Sequence, residues 1–392
     1  MRNRNKLLFS LTFLSSIIAF QCSTDLNDSD SSIPLEYSKS VITTYQNSTK
    51  MSNYKIKPLG VKKMINGEYL VMYSHPLQND ATNYHCYLAK SSKDGTQWDT
   101  ICVGDGYSGE LKELSNGFAL LFCKYNDLLF QKVSSTGTLE NSAVKLIGKG
   151  FYDAKMLIEG DTIYALAHRT DSTLFFISTN EGISWSAPEA LDESGYRVMP
   201  SAFFKTGDTI HVLKCQTLSN IQLVHYWKHK TKKEWNKQNF TIIDIDNDKR
   251  ICAFNAQKNG RNVRIIMRAE ANEMGGPACY YIANWDSGNN LPGIPQKITN
   301  DFTSNHISSY HMSFNIDNGN EVLAFGDDYL PRLFINSQNN NWQLINDTTL
   351  NLSDYNDSYI VTNIEKKSRI INSVYAANPS GCHTLYFDKL SF

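Results

Sequence analysis

Residues 159–166 read EGDTIYAL, and 47 positions later residues 206–213 read TGDTIHVL. Each segment places a glycine-containing turn before a run of alternating apolar and polar residues, which is the pattern of a β-hairpin. Looser copies read INGEYLV at 65–71, SNGFAL at 115–120, KNGR at 258–261 and DNGNEV at 317–322. A hairpin that returns about every 45–50 residues, with room for four short strands per unit, predicts the blades of a β-propeller.

A second motif reads STNEGISW at residues 178–185 and SSKDGTQW at residues 91–98. Both copies resemble the Asp box, S-x-D-x-G-x-[ST]-W, of sialidase-like propellers, with Asn180 and Lys93 in the place of the aspartate. The resemblance implies a tight turn between the third and fourth strands of a blade, with the tryptophan packed between blades and away from the active face. The 87 residues between the two copies fit two blades.

The repeats divide the chain into seven units. The predicted units are residues 50–106, 107–150, 151–195, 196–246, 249–300, 305–348 and 354–392. We therefore predict an all-β fold, a single seven-bladed β-propeller over residues 39–392, with a six-bladed ring as the alternative if one unit is a closing strand. The last blade is expected to take a strand from the N-terminal stretch 36–44.

The composition bounds the class of protein. Of 392 residues, 41% are hydrophobic and 20% are charged, which is typical of a globular chain and excludes collagen and coiled coil. The net charge of −1 gives no electrostatic signature of nucleic-acid binding.

The N-terminus has the pattern of an export signal. Basic residues within 2–6 precede the apolar stretch 7–20, which is too short for a permanent membrane span. Residues 1–21 are therefore predicted to be a signal peptide. Cys22, followed by the polar tether 22–38, resembles the acylated cysteine of Bacteroidetes lipoproteins, which implies a lipid anchor in the outer membrane. Cleavage without lipidation is the alternative, because small residues usually stand where this chain has Phe20 and Gln21.

Seven further cysteines follow Cys22. An odd number in an exported protein excludes a fully paired disulfide framework. Most of them lie in apolar strand patterns, as Cys123 does, which predicts buried free thiols. No C-x-x-C or H-x-x-x-H spacing occurs, so no metal site is predicted, although one disulfide bond or one incidental metal site is compatible with the sequence.

Aligning the hairpin glycines identifies the residues at one end of each blade, where propellers usually bind ligands. The starts of first strands give Tyr107, Tyr152, Asp153, Met199, Arg250 and His311. The ends of second strands give His75 and nearby His85, Lys124, His168, Arg169, Gln216, Arg268, Asp327 and Asp328. This set is rich in basic and aromatic residues, whereas a glycosidase normally needs two flanking carboxylates. The pattern therefore favours an anionic sugar as ligand.

A comparison with sialidases sharpens the prediction. Residues 54–58 read YKIKP, which resembles the N-terminal Y/F-R-I-P of that family, but Lys55 replaces the arginine that clamps the carboxylate. Arg169 stands in the place of a second clamping arginine, and Tyr152 with Asp153 stands near the place of the glutamate. We therefore predict no exo-sialidase activity.

The site pattern more closely resembles propeller ulvan lyases and their relatives that act on ulvan oligosaccharides. Tyr152 and Arg169 are 17 residues apart, and His85 lies 67 residues before Tyr152. A second histidine of that pattern would fall near Tyr107, and His75 is the candidate to replace it spatially. The resemblance implies a carbon–oxygen lyase that cleaves an acidic algal glycan, or a dehydratase that removes water from the non-reducing end of an oligosaccharide.

Each residue has a role in that chemistry. Removing the C5 proton of a uronate requires neutralisation of its carboxylate, which Arg169 can provide with a bidentate contact. Histidine is a suitable base near neutral pH, as proposed for His85, and Tyr152 can donate a proton to the leaving oxygen or act as base. The predicted substrate contacts are His75, Tyr107, Lys124, Arg268 and His311.

No metal or organic cofactor is required by this chemistry, and the predicted protein is a monomer that binds an acidic poly- or oligosaccharide. One alternative is a non-catalytic surface lipoprotein that binds glycans. Another is a sialidase-like glycoside hydrolase.

Overall fold

The computed structural model describes 18 stretches of chain and one isolated residue. They are residues 37–46, 56–77, 80–124, 127–148, 151–169, 172–192, 201–215, 222–242, 245, 249–259, 262–271, 277–299, 302–303, 312–327, 330–337, 341–345, 359–365, 368–377 and 382–391. Within these residues the regular structure consists of strands, and no helix occurs. No helix long and apolar enough to cross a membrane is found in them.

The strands follow one another with short connections. In chain order they are β1 (Tyr37–Gln46), β2 (Lys57–Lys63), β3 (Tyr69–Leu77), β4 (Asp80–Ser91), β5 (Trp98–Asp105), β6 (Ser108–Leu114), β7 (Gly117–Lys124), β8 (Asp127–Ser134), β9 (Leu139–Gly148), β10 (Phe151–Glu159), β11 (Thr162–Arg169), β12 (Thr173–Ser178), β13 (Glu189–Asp192), β14 (Ser201–Thr206), β15 (Thr209–Cys215), β16 (Gln222–His229), β17 (Asn236–Thr241), β18 (Lys249–Asn259), β19 (Asn262–Ala271), β20 (Pro277–Asp286), β21 (Leu291–Pro292), β22 (Gln296–Lys297), β23 (Phe302–Thr303), β24 (Met312–Asp317), β25 (Asn320–Asp327), β26 (Leu330–Ser337), β27 (Trp342–Ile345), β28 (Ile360–Ile364), β29 (Ile370–Ala377) and β30 (Cys382–Ser391).

These strands form seven antiparallel sheets, which are the seven blades of a β-propeller. Blades 1 to 4 each consist of four consecutive strands, from β2 to β17. In blade 5 the short strands β21, β22 and β23 all pair with β20, and blade 6 is β24 to β27. The innermost strands of neighbouring blades contact one another all the way round, so that β28 meets β2 and the ring is closed. The predicted seven-bladed fold is confirmed, and the six-bladed alternative is wrong.

The ring is closed by the N-terminal strand. The seventh blade has the order β1-β30-β29-β28, in which β1 pairs antiparallel with β30 from Tyr37 opposite Leu390 to Gln46 opposite Cys382. The expectation that the last blade takes a strand from near residues 36–44 is confirmed. Because this pairing covers the outer edge of β30, the first and last parts of the propeller are held together by strand hydrogen bonds.

Apolar residues run almost continuously along the middle strands, as in β7 and β11, because each blade is covered on both faces by its neighbours. Every junction between neighbouring blades therefore has a hydrophobic cluster of its own. The cluster between blades 4 and 5, for example, includes Phe204 from β14 and Trp285 from β20. Such burial is the main source of stability in a fold whose strands are short.

The two Asp-box-like motifs are turns between third and fourth strands, as predicted. In blade 3, the Asn180 carboxamide oxygen accepts a hydrogen bond of 2.9 Å from the Ser184 N–H, and the indole of Trp185 donates to the Gly182 carbonyl at 3.1 Å. Trp185 packs edge-on against Phe130 of blade 2, with ring centroids 5.2 Å apart.

The copy in blade 1 differs in the residue that accepts the turn hydrogen bonds. Lys93 stands in the place of the motif's aspartate, and the next residue, Asp94, accepts the hydrogen bonds from Ser92 Oγ and from the Thr96 N–H. Its tryptophan, Trp98, packs edge-on against Phe387 of blade 7 at 5.1 Å. The motif therefore forms an interblade contact in both blades, although its aspartate is displaced by one residue here.

Five cysteines have described side chains, and all five are free thiols. Cys86, Cys123, Cys252 and Cys279 are buried, as predicted, whereas Cys102 is exposed. Burial raises the pKa of the Cys123 thiol to about 12, so that this sulfur stays protonated and packs as a small apolar group.

Candidate functional site

Antiparallel pairing brings four strand ends together at one end of each blade. These are the start of the innermost strand, the end of the second strand, the start of the third and the end of the fourth. His75 lies near the end of β3, and Lys124 and Arg169 are the last residues of β7 and β11. Tyr107 directly precedes β6, and Tyr152 is the second residue of β10. The predicted residues therefore lie at equivalent ends of blades 1, 2 and 3.

The two predicted histidines of blade 1 are cross-strand neighbours. His75 on β3 is paired with His85 on β4. Tyr87, two residues after His85, stacks on the His75 ring with centroids 4.4 Å apart and an interplanar angle of 3°. Directly opposite residues in an antiparallel pair have their side chains on the same face, so both imidazoles stand together at this end of the sheet.

The histidine pair stands on a rigid base. Tyr73 stacks on Tyr87 at 5.3 Å and belongs to the hydrophobic cluster that joins blade 1 to blade 7, together with Ile42 and Val374. Tyr87 packs against the same cluster. Side chains locked in this way lose little further conformational entropy when a ligand binds, which is a general requirement for a preorganised site.

His85 is oriented by a carboxylate. Its Nδ1 lies 3.3 Å from Asp105 Oδ1. Asp105 Oδ2 forms an ion pair with Nζ of Lys124 in blade 2, at a distance of 2.8 Å. The hydrogen bond from Lys124 lowers the pKa of Asp105, which keeps this carboxyl ionised. Because a carboxylate only accepts hydrogen bonds, Nδ1 of His85 carries the proton and Nε2 has the free lone pair. The Cys102 sulfur lies 3.7 Å from the same Nδ1.

His75 has the same tautomer for a different reason. Its Nδ1 lies 2.7 Å from the backbone carbonyl of Pro76, which can only accept, so Nδ1 is again the protonated nitrogen. Burial lowers the pKa of His75, and the neighbouring His85 lowers it further, while the Pro76 carbonyl opposes both effects. In both imidazoles of blade 1, Nδ1 is therefore the nitrogen that faces a hydrogen-bond acceptor.

Arg169, the predicted carboxylate clamp, lies two blades away from the histidines. It is half-buried at the end of β11 and is paired across the sheet with Phe151, the first residue of β10. Its backbone N–H donates to the Ser172 carbonyl at 2.8 Å, which forms the tight connection to β12. The structure thus brings His75, His85 and Lys124 together and places Arg169 at the equivalent end of blade 3.

A buried hydrogen-bond chain fixes the strand next to Arg169. Lys214 donates to Thr173 Oγ1 at 2.6 Å, and Thr173 Oγ1 lies 3.2 Å from Nδ1 of His168. The other ring nitrogen of His168 lies 2.8 Å from Ser201 Oγ. Burial lowers the pKa of His168 well below its usual value, so the ring is neutral and links blades 3 and 4 without a charge.

Asp153 is an acid with an altered pKa at the start of an innermost strand. A bulge between Phe151 and Asp153 shifts the register at Tyr152. Burial raises the pKa of Asp153, Lys155 lowers it and Glu110 on the neighbouring innermost strand raises it, which together give a pKa of about 6. A carboxyl group in this environment can hold a proton under mildly acidic conditions.

The remaining predicted substrate contacts are buried, half-buried or outside the residues that the structure describes. Arg268 on β19 is only 1% exposed, with one guanidinium nitrogen 3.6 Å from Glu270. Tyr107 is half-buried, and its carbonyl accepts from Ser74 Oγ at 3.3 Å. His311, Cys22 and the side chain of Tyr152 lie outside the described residues. The roles assigned to all these residues stay predictions.

Sequence reasoning missed Asp105 and Tyr87. A β-bulge between Cys86 and Tyr87 adds one residue to β5, so that His85 pairs with Asp105. Counting back from the Asp-box turn without the bulge would have placed Gly104 opposite His85. Tyr87 could have been found from strand alternation, because it lies two residues after His85 on the same face.

No group of three His, Cys, Asp or Glu side chains is placed to hold a metal ion in the part of the chain that is described. The imidazole and carboxylate groups of blade 1 can instead serve in acid–base chemistry.

No family model and no curated protein matches this sequence. Among solved structures, the chain is similar to the β-propeller domain of the Trilobed protease from Pyrococcus furiosus, which has an open velcro topology. The identity is 10%, the match covers 86% of this chain and 94% of that chain, and the TM-score is 0.49.

It is also similar to an α-L-arabinanase from Penicillium chrysogenum complexed with arabinobiose, with 12% identity, 89% and 97% coverage and a TM-score of 0.49. A mutant Trypanosoma rangeli sialidase that displays trans-sialidase activity is matched at 10% identity over 90% of this chain and 58% of that chain, with a TM-score of 0.46. At these low sequence identities, the similarity is one of chain architecture.

Proposed function

We propose that this protein is a carbon–oxygen lyase that carries out β-elimination at a uronic acid of an acidic glycan, with ulvan or ulvan oligosaccharides as the first candidates. The observation that carries the proposal is the oriented histidine pair of blade 1. His85 is held by Asp105 through Nδ1, which leaves Nε2 as the basic nitrogen, and His75 lies directly across from it on the neighbouring strand.

The reaction uses these groups as follows. An imidazole Nε2 removes the C5 proton of the uronate, and the electron pair left on C5 forms the C4–C5 double bond as the C4–oxygen bond breaks. The leaving oxygen takes a proton, for which Tyr152 is the proposed donor. Arg169 is the proposed clamp that neutralises the carboxylate as enolate-like charge develops.

The site supports two versions of this elimination. If the leaving group is the next sugar, the protein is a polysaccharide lyase. If it is a free hydroxyl at the non-reducing end, the protein is an oligosaccharide dehydratase. Both versions share the deprotonation at C5, so His85, Tyr152 and Arg169 keep the same roles.

The test is to incubate the protein with ulvan and with ulvan oligosaccharides and to follow the ultraviolet absorbance of the 4,5-unsaturated uronate. Mass spectrometry then distinguishes chain cleavage from loss of one water. His85→Asn is expected to lower kcat by about 10²–10⁴-fold, whereas the same substitution at His229, the exposed last residue of β16, leaves it unchanged. Absence of unsaturation on every uronate glycan tried would overturn the proposal.

Non-catalytic glycan binding is the alternative of a different class. A binding protein would retain acidic polysaccharides in affinity electrophoresis and would show no unsaturated product. Binding that persists in His85→Asn, with no turnover by the unmodified protein, would favour this alternative over the lyase.

We further propose that the protein is exported and anchored to the outer membrane by lipid on Cys22, because residues 1–22 have the pattern of a lipoprotein signal. Metabolic labelling with a palmitate analogue tests this directly. The label is expected on the unmodified protein and absent from Cys22→Ala, and label on both or on neither would refute the anchor.

A further inference from the structure

Lys57, the first residue of the innermost strand of blade 1, has an unusual environment. Its ammonium nitrogen lies 5.1 Å from the ring centroid of Tyr84 and 5.6 Å from that of Tyr359. Tyr84 is on β4 of the same blade, and Tyr359 directly precedes β28, the innermost strand of blade 7. The ammonium group is therefore enclosed by two aromatic rings at the junction of blades 1 and 7.

Its position connects it to the candidate site. Lys57 is paired with Ser74 across the β2–β3 sheet, one residue before His75. Tyr84 occupies the position directly before His85 on β4 and is paired with Pro76. Lys57 thus lies at the same end of blade 1 as the two histidines, at the start of a strand that lines the propeller axis.

No carboxylate among the described side chains compensates the charge of Lys57. Its interactions are the two tyrosine contacts, whereas Lys63 on the same strand forms an ion pair of 2.6 Å with Glu365. Burial alone lowers the pKa of Lys57, with no opposing effect from an acid. Cation–π contacts offset only part of the cost of removing an ammonium group from water.

The tyrosines add hydrogen-bond donors to this enclosure. Burial, with a smaller contribution from the neighbouring Tyr84, raises the pKa of Tyr359 to about 12, so that the phenol of Tyr359 stays protonated. A protonated phenol can donate to an anionic oxygen, which an ionised one cannot do. A bound anion would supply a counter-charge for Lys57, which has none among the described side chains.

We propose that Lys57, Tyr84 and Tyr359 form an anion subsite that receives a carboxylate or sulfate group of the glycan beside the histidine pair. The proposal rests on the proposed function for the identity of the ligand, but the subsite itself can be tested without turnover. A lysine ammonium is a compact point charge, which suits a single anionic oxygen group, whereas the planar guanidinium of Arg169 suits bidentate contact with a carboxylate.

The first experiment measures acetylation of Lys57 in the full chain by acetic anhydride, read by mass spectrometry of the peptide that contains it. D-Glucuronate and inorganic sulfate, added separately at constant ionic strength, are the probes, and glucose is the neutral control. Protection of Lys57 by glucuronate alone identifies a carboxylate subsite, and protection by sulfate identifies a sulfate subsite. Labelling of exposed Lys93 is expected to be the same in every sample. Equal labelling of Lys57 with both anions and with glucose would overturn the proposal.

The second experiment measures the dissociation constant for an acidic ulvan oligosaccharide and for its desulfated and carboxyl-reduced forms. Lys57→Met is expected to weaken binding of the acidic form by about 10- to 100-fold, Lys57→Arg to retain most of it, and Lys93→Met to leave it unchanged. For the oligosaccharide that lacks the anionic group contacted by Lys57, the dissociation constants of Lys57→Met and of the unmodified protein should be equal.

The two proposals fail in different ways. If Lys57 is protected and its substitution weakens binding while no unsaturated product forms, the anion subsite stands and the lyase is refuted. If eliminations occur at the same rate in Lys57→Met and Lys57 is never protected, the lyase stands and the subsite is refuted. Acetylation of the unmodified protein decides the question even where Lys57→Met does not fold.

Discussion

Nδ1 of His211 lies 3.0 Å from Nε2 of His225, and the two rings stack with their centroids 5.2 Å apart in the interior of blade 4. Both residues are 0% exposed, and Trp285 of blade 5 packs edge-on against each of them. Burial, with a smaller contribution from His225, lowers the pKa of His211 to about 3, and burial lowers the pKa of His225 to about 4. The pair is therefore a neutral, hydrogen-bonded part of the core.

This pair makes stability depend on pH. Below about pH 6.5 the unfolded chain binds protons on these histidines and the folded chain does not, so the free energy of unfolding falls as the pH decreases toward 4. Each histidine contributes a slope of up to about 1.4 kcal/mol per pH unit in this window. The free energy of unfolding, measured by urea denaturation at several pH values from 7.5 to 4.5, is expected to depend less steeply on pH in the double variant His211→Phe, His225→Phe. A slope equal to that of the unmodified protein would refute the assignment, and His229→Gln serves as the exposed control.

Asp153→Asn is expected to stabilise the protein at neutral pH. The folded-state pKa of about 6 lies above the ordinary value of 3.8, so the stability contributed by the protonated form is lost as the pH rises from about 4 through 6. Asparagine removes the cost of the buried negative charge, which amounts to at most about 3 kcal/mol. The melting temperature should rise at pH 7.5 and remain unchanged at pH 4. Asp161→Asn, in an exposed turn, is the matched control, and an equal effect at both pH values would contradict the prediction.

Asp105→Asn is expected to reduce turnover without unfolding the protein. The amide can present its NH₂ group to His85 and reverse the tautomer, which takes the lone pair away from Nε2. We expect kcat to fall by about 10- to 100-fold, in line with the loss of groups that orient a histidine, with a smaller change in KM. Steady-state kinetics on the glycan that proves to be the substrate measures this split. Asp99→Asn, an exposed position on the same strand, should have no effect, and a rise in KM alone would assign Asp105 to substrate binding instead.

Gly182→Ala is expected to destabilise the protein strongly. Gly182 has φ of +84°, and a Cβ at this position would lie 2.0 Å from the Phe130 ring of the neighbouring blade. Gly160→Ala is the matched control, because that glycine also has positive φ, +56°, but has open space around it. The control should cost about 1–2 kcal/mol from backbone strain alone, and Gly182→Ala should cost clearly more. Equal losses in thermal or urea denaturation would show that the turn relaxes away from Phe130.

Much of the fold could be predicted because propeller blades repeat along the chain. The hairpin at 159–166 and its copies define the units, and the glycines define strand ends to within a few residues. This was enough to place His75, Lys124 and Arg169 at equivalent ends of their blades. Local hydrogen bonds and alternation of apolar residues decide these features, and both are visible in a short stretch of sequence.

The candidate site could be predicted only in part. His75 and His85 were both recognised, but their direct pairing depends on the register of β3 and β4. The partner of His85 depends on a bulge in which one residue on β4 faces two on β5, and nothing in the local pattern marks that bulge. An error of one residue would have exchanged Asp105 for a glycine.

The amino-acid sequence by itself determined the propeller architecture, the approximate strand ends and the basic, aromatic character of the residues at those ends, and it left six or seven blades open. Only the tertiary structure decided which of these residues meet. Lys57 and Tyr359 are adjacent although 302 positions separate them in the chain, and Lys124 reaches Asp105 across a blade boundary. The physical reason is that hydrogen bonding within a blade is local, whereas contacts between blades depend on closure of the whole ring, which β1 completes by pairing with β30.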